Sequence, residues 1–319
     1  MRGIKLIRKH FLPLVLLGVI VFFVGCQDNS VQPTVSQTTT DKQAITDAIN
    51  ADSLLATFDT NFNEDGALSY LAKTNSAIKP FKVWQKTQLA NKVVDVTYSA
   101  DTAYAHITKT FNGTLYISGT LDVNASKPDT LIKKSFTSVI TRNAVLVKIA
   151  REDSSKNRWV VKAVSLPEGG TASSNIDITN LTVFLPNGDT LSISSPNDYY
   201  LIRKWGWFWW RWHNVPVIQR DRDVKIQVEL TSAYADTDFV SLTFGADRFG
   251  YHRCKKRFDL VSSTDNGGVY DKVYEQTFKG DYYPGFFHAI INALPKQVIF
   301  DDSAAVESST WGIPYYIKF

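Results

Sequence analysis

The sequence predicts an α+β domain, with helices packed on an antiparallel sheet, followed by an all-β sandwich. Three observations lead to this. Between Asp41 and Phe58, apolar residues recur at the helical period. From Val93 to Leu166 the period changes to two, the signature of half-buried strands. Beyond residues 167–174 (Pro-Glu-Gly-Gly-Thr-Ala-Ser-Ser), helical spacing is absent and short apolar runs alternate with turn residues.

The elements follow in order. Thr40-Asp41-Lys42-Gln43 has the form of a capping box, in which side chains satisfy the free amides at a helix start. Ile45, Ala48, Ile49 and Leu55 or Ala56 then fall on one face, to about Phe58. Residues 64–73, with Leu68 and Leu71 inward, form a second helical piece that Lys79-Pro80 stops. Val94, Val96 and Tyr98 alternate with polar residues. Residues 104–111 are rich in β-formers, Asn112-Gly113 is a hairpin turn signal, and residues 114–117 open the next strand. Residues 136–149 and 158–166 complete a sheet of about four strands.

Residues 167–176 read as a linker, small and polar, and as the main protease-sensitive site of the folded region. In residues 177–319, the run 178–185 enters a Pro-Asn-Gly-Asp turn. Val224, Ile226, Val228 and Leu230 alternate with polar partners. Residues 239–244, 270–278, 287–294, 297–300 and 313–319 follow at short intervals. Roughly seven strands with turns between them predict the sandwich.

The order of elements over residues 41–166 resembles the nuclear-transport-factor-like superfamily, with its cone-shaped, ketosteroid-isomerase-like domains. A cystatin-like sheet wrapped on a helix is the alternative. The resemblance rests on element order and carries no motif. It implies a concave mouth for a small apolar ligand and a carboxylate base with an acidic partner, roles for which Asp95 and Tyr104 are of suitable type. Residues 177–319 are similar to the immunoglobulin-like folds of bacterial surface lipoproteins, without the paired cysteines of antibody domains.

The amino terminus carries an address. Arg2, Lys5, Arg8 and Lys9 precede an unbroken apolar run over residues 11–24, and Phe23-Val24-Gly25-Cys26 follows. A transmembrane helix needs ~20 apolar residues, so the run is short for a span and suits a signal sequence. The ending resembles the lipobox of bacterial lipoproteins, with Phe23 departing from the usual Leu or Val. The resemblance implies that residues 1–25 are removed and that Cys26 is acylated. Residues 26–40 have almost nothing to bury and read as a disordered tether. Gln27, rather than Asp, follows the cysteine, which in the enterobacterial sorting rule points to the outer membrane.

Charge and chemistry narrow the function. Residues 1–25 contain four cations and no acid, so the formal charge of +4 falls to zero without them. Nucleic-acid binding then lacks its basic footprint. With Cys26 lipidated, Cys254 has no partner for a disulfide, and it lacks the base that a nucleophile needs. His106, His213, His252 and His288 show no metal-ligand spacing. Asp301-Asp302 and the loop from Asp265 to Gly268 read as turns. No catalytic residue, metal or cofactor is expected.

The outlying feature is the run Trp205, Trp207, Phe208, Trp209, Trp210 and Trp212. If extended, it points three aromatic residues to each face, and a sandwich strand has only one core face. The other set exceeds the apolar patch a monomer normally exposes, so something covers it: the amino-terminal domain or a loop of the same domain, or else a protein partner, interfacial lipid or a glycan, for which the run is a candidate binding surface. The sequence therefore suggests a lipid-anchored envelope module for binding or assembly. Its partners are the bilayer, through Cys26, and an envelope protein or glycan. The alternative is an envelope enzyme acting on a small molecule or glycan through a pocket in either half.

Overall fold

The computed structural model describes residues 37–52, 55, 68–69, 78–122, 124–151, 154–173, 175–204, 211–246, 253–280 and 283–318. Among the described residues the structure is mostly strand, 67%, and one of the two helices reaches seven residues. The expected α+β layer of packed helices is therefore corrected to a mostly β architecture of two sheets.

The physical reason is that the two-residue period runs through positions that read locally as breaks. Strands β2 (Lys79–Ser99), β3 (Thr102–Thr120) and β4 (Thr130–Arg151) span 21, 19 and 22 residues. On β3, Ala103, Ala105, Ile107, Phe111, Leu115 and Ile117 are all buried on one face. Asn112-Gly113 lies inside this strand and not at a turn. A Cβ on Gly113 would sit 2.3 Å from the Phe136 ring, so the glycine makes room for that ring. The actual turn is Ala100-Asp101, with Ala100 at φ 52° between paired Ser99 and Thr102. Leu68 and Ser69, expected in a helix, form strand β1 (Leu68–Ser69), with Leu68 opposite Val83 on β2. The rest of that expected helix lies outside the described residues.

Helix α1 (Gln37–Ala51) starts before the expected capping box, so Thr40 is inside it. It buries Ile45 and Ile49. Near its start, Asp41 accepts hydrogen bonds from Trp159 Nε1 (3.1 Å) and Lys148 Nζ (3.2 Å). Just past its end, the Asp52 carboxylate receives the Leu55 amide (3.2 Å) and the Arg203 guanidinium (2.7 Å). The helix is thus pinned to β4, to β5 (Ser154–Ser165) and to β9 (Tyr200–Lys204).

The stretch expected to be a linker carries strand β6 (Glu168–Gly170). One side of β6 pairs with Val139–Thr141 of β4, and the other with Ser309–Trp311 of β18 (Ser309–Lys318). The carboxy-terminal half supplies β7 (Ile176–Phe184), β8 (Thr190–Ile193), β12 (Asp223–Ser232), β13 (Phe239–Ala246), β16 (Tyr270–Lys279) and β17 (Gly285–Leu294). It also contains the shorter β10 (Arg211–His213), β11 (Val217–Gln219), β14 (Cys254–Arg257) and β15 (Asp259–Asp265). Residues 297–300, expected as a strand, lie in helix α2 (Lys296–Phe300) after Pro295. Lys134 Nζ caps this helix, donating to the carbonyls of Val298 (2.8 Å), Asp301 and Ala304 (2.9 Å). Those acceptors hold a lysine whose pKa burial pushes down.

The large sheet runs β1-β2-β3-β4-β6-β18-β17-β13-β14. A second branch continues from β4 through β5, β9 and β10, and β11 adds in parallel to β18. The small sheet is β15-β16-β12-β7-β8. One apolar cluster joins Ile45 and Ile49 of α1, Val228 and Tyr274 of the small sheet, and Leu242, Ile291 and Trp311 of the large one. The small sheet therefore packs on part of a large sheet that also contains the amino-terminal strands. No helix among the described residues is long and apolar enough to cross a membrane.

Candidate binding groove and polar cleft

Of the tryptophan run, only Trp212 is a described residue. Trp205, Trp207, Phe208, Trp209 and Trp210 lie outside that set, as do Cys26 and His252. The chain enters and leaves this segment through β9 and β10, which pair antiparallel with Lys204 opposite Arg211. Leu201 is buried and roots β9 in the core. The Arg203 guanidinium lies 4.6 Å from the Trp212 ring centre and binds Asp52, so the end of α1, β9 and Trp212 are fastened together. Asn214, at φ 64°, turns the chain after β10. Its Nδ2 donates to the Tyr200 carbonyl (3.0 Å), and its own carbonyl accepts from the Tyr199 hydroxyl (2.9 Å).

After this turn, β11 docks on β18: the Tyr316 amide donates to the Pro216 carbonyl (2.9 Å), and Arg220 N donates to the Lys318 carbonyl (3.0 Å). The register sets Val217 beside Tyr316, and Tyr316 beside Phe286 on β17, forming an apolar row across three strands. With Trp212 and Val215 this row walls a groove of about 500 Å³, edged by His213 and Lys318. Val217 and Tyr316 are 42% and 43% exposed, so the wall is open to solvent. Among the described lining residues, the charged side chain is Lys318.

A second cavity, of about 530 Å³, is polar. It lies along β6 and the start of β7, and its lining includes Glu168, Thr171, Asp177, Ser195, Ser309 and Trp311. Glu168 Oε1 accepts a hydrogen bond from Asn197 Nδ2 (2.5 Å). Asn197 is the hub of this wall: Nδ2 also donates to Thr141 Oγ1 (2.8 Å), and its carbonyl accepts from Asn143 Nδ2 (3.0 Å). Burial pushes the Glu168 pKa up. The Asn197 hydrogen bond pulls it back, and the charges of Asp177 and Asp198 raise it further.

The other residues singled out in the sequence are scattered. Asp95 and Tyr104 are exposed on β2 and β3. Cys254 is an exposed free thiol on β14. His106 Nδ1 pairs with Asn143 Oδ1 (2.8 Å). His288 is buried, and burial together with the Arg142 charge pushes its imidazole down to about 3. Asp301 Oδ1 accepts from the Ser303 amide and hydroxyl, and Asp265 Oδ1 from the Gly268 amide, both as turn contacts. Sequence reasoning did not find Glu168, because its partners Asn197 and Asp177 are remote from it and its Pro-Glu-Gly-Gly context reads as a loop. Val217, Phe286 and Tyr316 come together only through strand register. No protein-family model matches the chain, and no curated protein sequence matches it.

Proposed function

We propose that this protein is a lipid-anchored binding or assembly module of the bacterial cell envelope, held to the outer membrane by acylated Cys26. The observation that carries the binding role is the open apolar groove whose wall includes Trp212 of β10. A soluble surface seldom leaves aromatic and aliphatic side chains grouped in an open concavity unless something covers them. The anchor rests on the basic segment, the short apolar run and the Gly25-Cys26 pair. Cys26→Ala should abolish incorporation of radioactive fatty acid and leave the protein out of its membrane fraction. Equal label in mutant and wild type would remove the anchor from the reading.

A second reading has one observation in its favour. A carboxyl group with a raised pKa in a concave site is a common arrangement for general acid catalysis, and Glu168 has both properties. An envelope enzyme acting on a small molecule or glycan would use this cleft. Turnover of a chromogenic glycoside or ester by the wild type, lost in Glu168→Gln, would favour the enzyme over the binding module. If both proteins are inert across such a panel, the binding reading gains.

A further inference from the structure

We infer that the Trp212 groove takes an acyl chain of an anionic phospholipid from the bilayer beside which the protein is anchored, with the headgroup at Lys318 and His213. This names the partner for the binding role above, and it rests on that reading for the nearness of the bilayer.

Four observations converge on a lipid. The groove walls are Trp212, Val215, Val217, Phe286 and Tyr316, an aromatic and aliphatic surface that offers an alkyl chain extensive contact, with the Tyr316 hydroxyl and the Trp212 indole N–H as its polar side-chain groups. Its volume falls in the range of small-ligand sites. Among the described lining residues the charged side chain is Lys318, with His213 on the same wall, so a negative headgroup is complementary to this edge. Trp212 itself stands on the groove wall, and tryptophan favours the membrane interface.

The fourth observation is reach. Extended fully, the chain between Cys26 and Gln37 spans at most ~40 Å. Helix α1 is ~20 Å long, and the Asp52–Arg203 pair just beyond its far end ties it to the strand beside Trp212. The anchor therefore allows the groove to meet the membrane surface.

The test uses the full anchored protein in its own membranes. Tyr316 and, separately, Val217 are replaced by p-benzoylphenylalanine, both positions being exposed enough to accept the larger ring. Val261, exposed on β15 of the other sheet, serves as control. After irradiation, the adducts are identified by mass spectrometry. The expected result is phospholipid adducts at Tyr316 and Val217 at least fivefold above Val261, enriched in anionic species, with Lys318→Glu reducing that enrichment at least threefold. Adducts to another protein, or lipid adducts no more frequent than at Val261, overturn the inference. So does an adduct population indifferent to headgroup charge and to Lys318→Glu. Fatty-acid label at Cys26, read without irradiation, separates the two ideas: label without adducts sinks the groove inference and leaves the anchor standing.

Discussion

Alanine at Gly169 or Gly170 should destabilise the protein by about 3 kcal/mol or more, above the usual cost of an extra methyl in a packed interior. Strand β6 passes between β4 and β18, with Gly169 opposite Ile140 and Thr310, and Gly170 opposite Val139 and Ser309. A Cβ at Gly169 would lie 1.9 Å from the Val139 carbonyl oxygen, and one at Gly170 would lie 2.0 Å from that of Ser308. Both obstacles are backbone atoms held in ladders, so no side chain can swing aside. The strand must back out of its slot, and its partners then lose hydrogen bonds on two sides. Gly285→Ala is the control, since its added Cβ makes only an ordinary contact 3.4 Å from Phe287. Urea unfolding of the three variants decides the matter. If Gly169→Ala and Gly170→Ala stay within about 0.5 kcal/mol of Gly285→Ala, β6 does not occupy this slot.

The second large effect is expected at Lys272→Met, at about 3–5 kcal/mol, the usual cost of removing one partner from a buried ion pair. Lys272 and Asp238 have side chains with no solvent exposure and an Nζ–Oδ2 distance of 2.8 Å. Lys272 also donates to the carbonyls of Tyr234 (2.6 Å) and Asp236, so its three protons hold the chain that leads into β13. Asp238 accepts in addition from Ser232 Oγ (3.2 Å) and Tyr274 OH (3.3 Å). Burial pushes the Asp238 pKa up, and the Lys272 hydrogen bond and charge oppose that. Without Lys272 the opposition is gone and the carboxyl rises further above its unfolded value. A carboxyl raised on folding contributes stability at low pH that is lost as pH rises through its folded pKa. Lys272→Met should therefore be less unstable near pH 5 than near pH 8. Adding Asp238→Leu should recover part of the loss at neutral pH, because no buried charge is then stranded. Equal instability at both pH values, with no recovery in the double variant, would show that Asp238 does not depend on Lys272.

What the sequence made legible was the alternation, and what it hid was where alternation stops. Val224, Ile226, Val228 and Leu230 all point to the core as the period requires. Asn112-Gly113 carries the strongest short turn signal in the first half, yet the glycine is there for the Phe136 ring, which belongs to a different strand. Residues 297–300 satisfy both periods over so short a length, and Pro295 with the Lys134 cap settles them as helix. Pro-Glu-Gly-Gly reads as a loop because small residues without apolar neighbours suit solvent. They suit equally a strand pressed between two others, and only the approach of Val139 and Ser308 separates these cases. For the candidate site, Trp212 is the one residue of the aromatic run among those described, and it lines the groove. The rest of the groove wall is set by the parallel docking of β11 on β18, which leaves no local mark in the sequence.

The slot occupied by β6 also bears on the order in which the chain can mature. Thr171 and Ser308, hydrogen-bonded at its mouth, are 137 residues apart in sequence. A contact of that separation closes late, because the loop entropy must be met before the pairing returns anything. A chain emerging from its amino terminus would have β2, β3 and β4 available for some time with the β4 edge at residues 139–141 lacking the β18 side of its final environment. Exposed edges of that kind recruit other chains. The amino-terminal sheet is thus expected to rely on an escort, or on rapid completion of the chain, until β18 arrives.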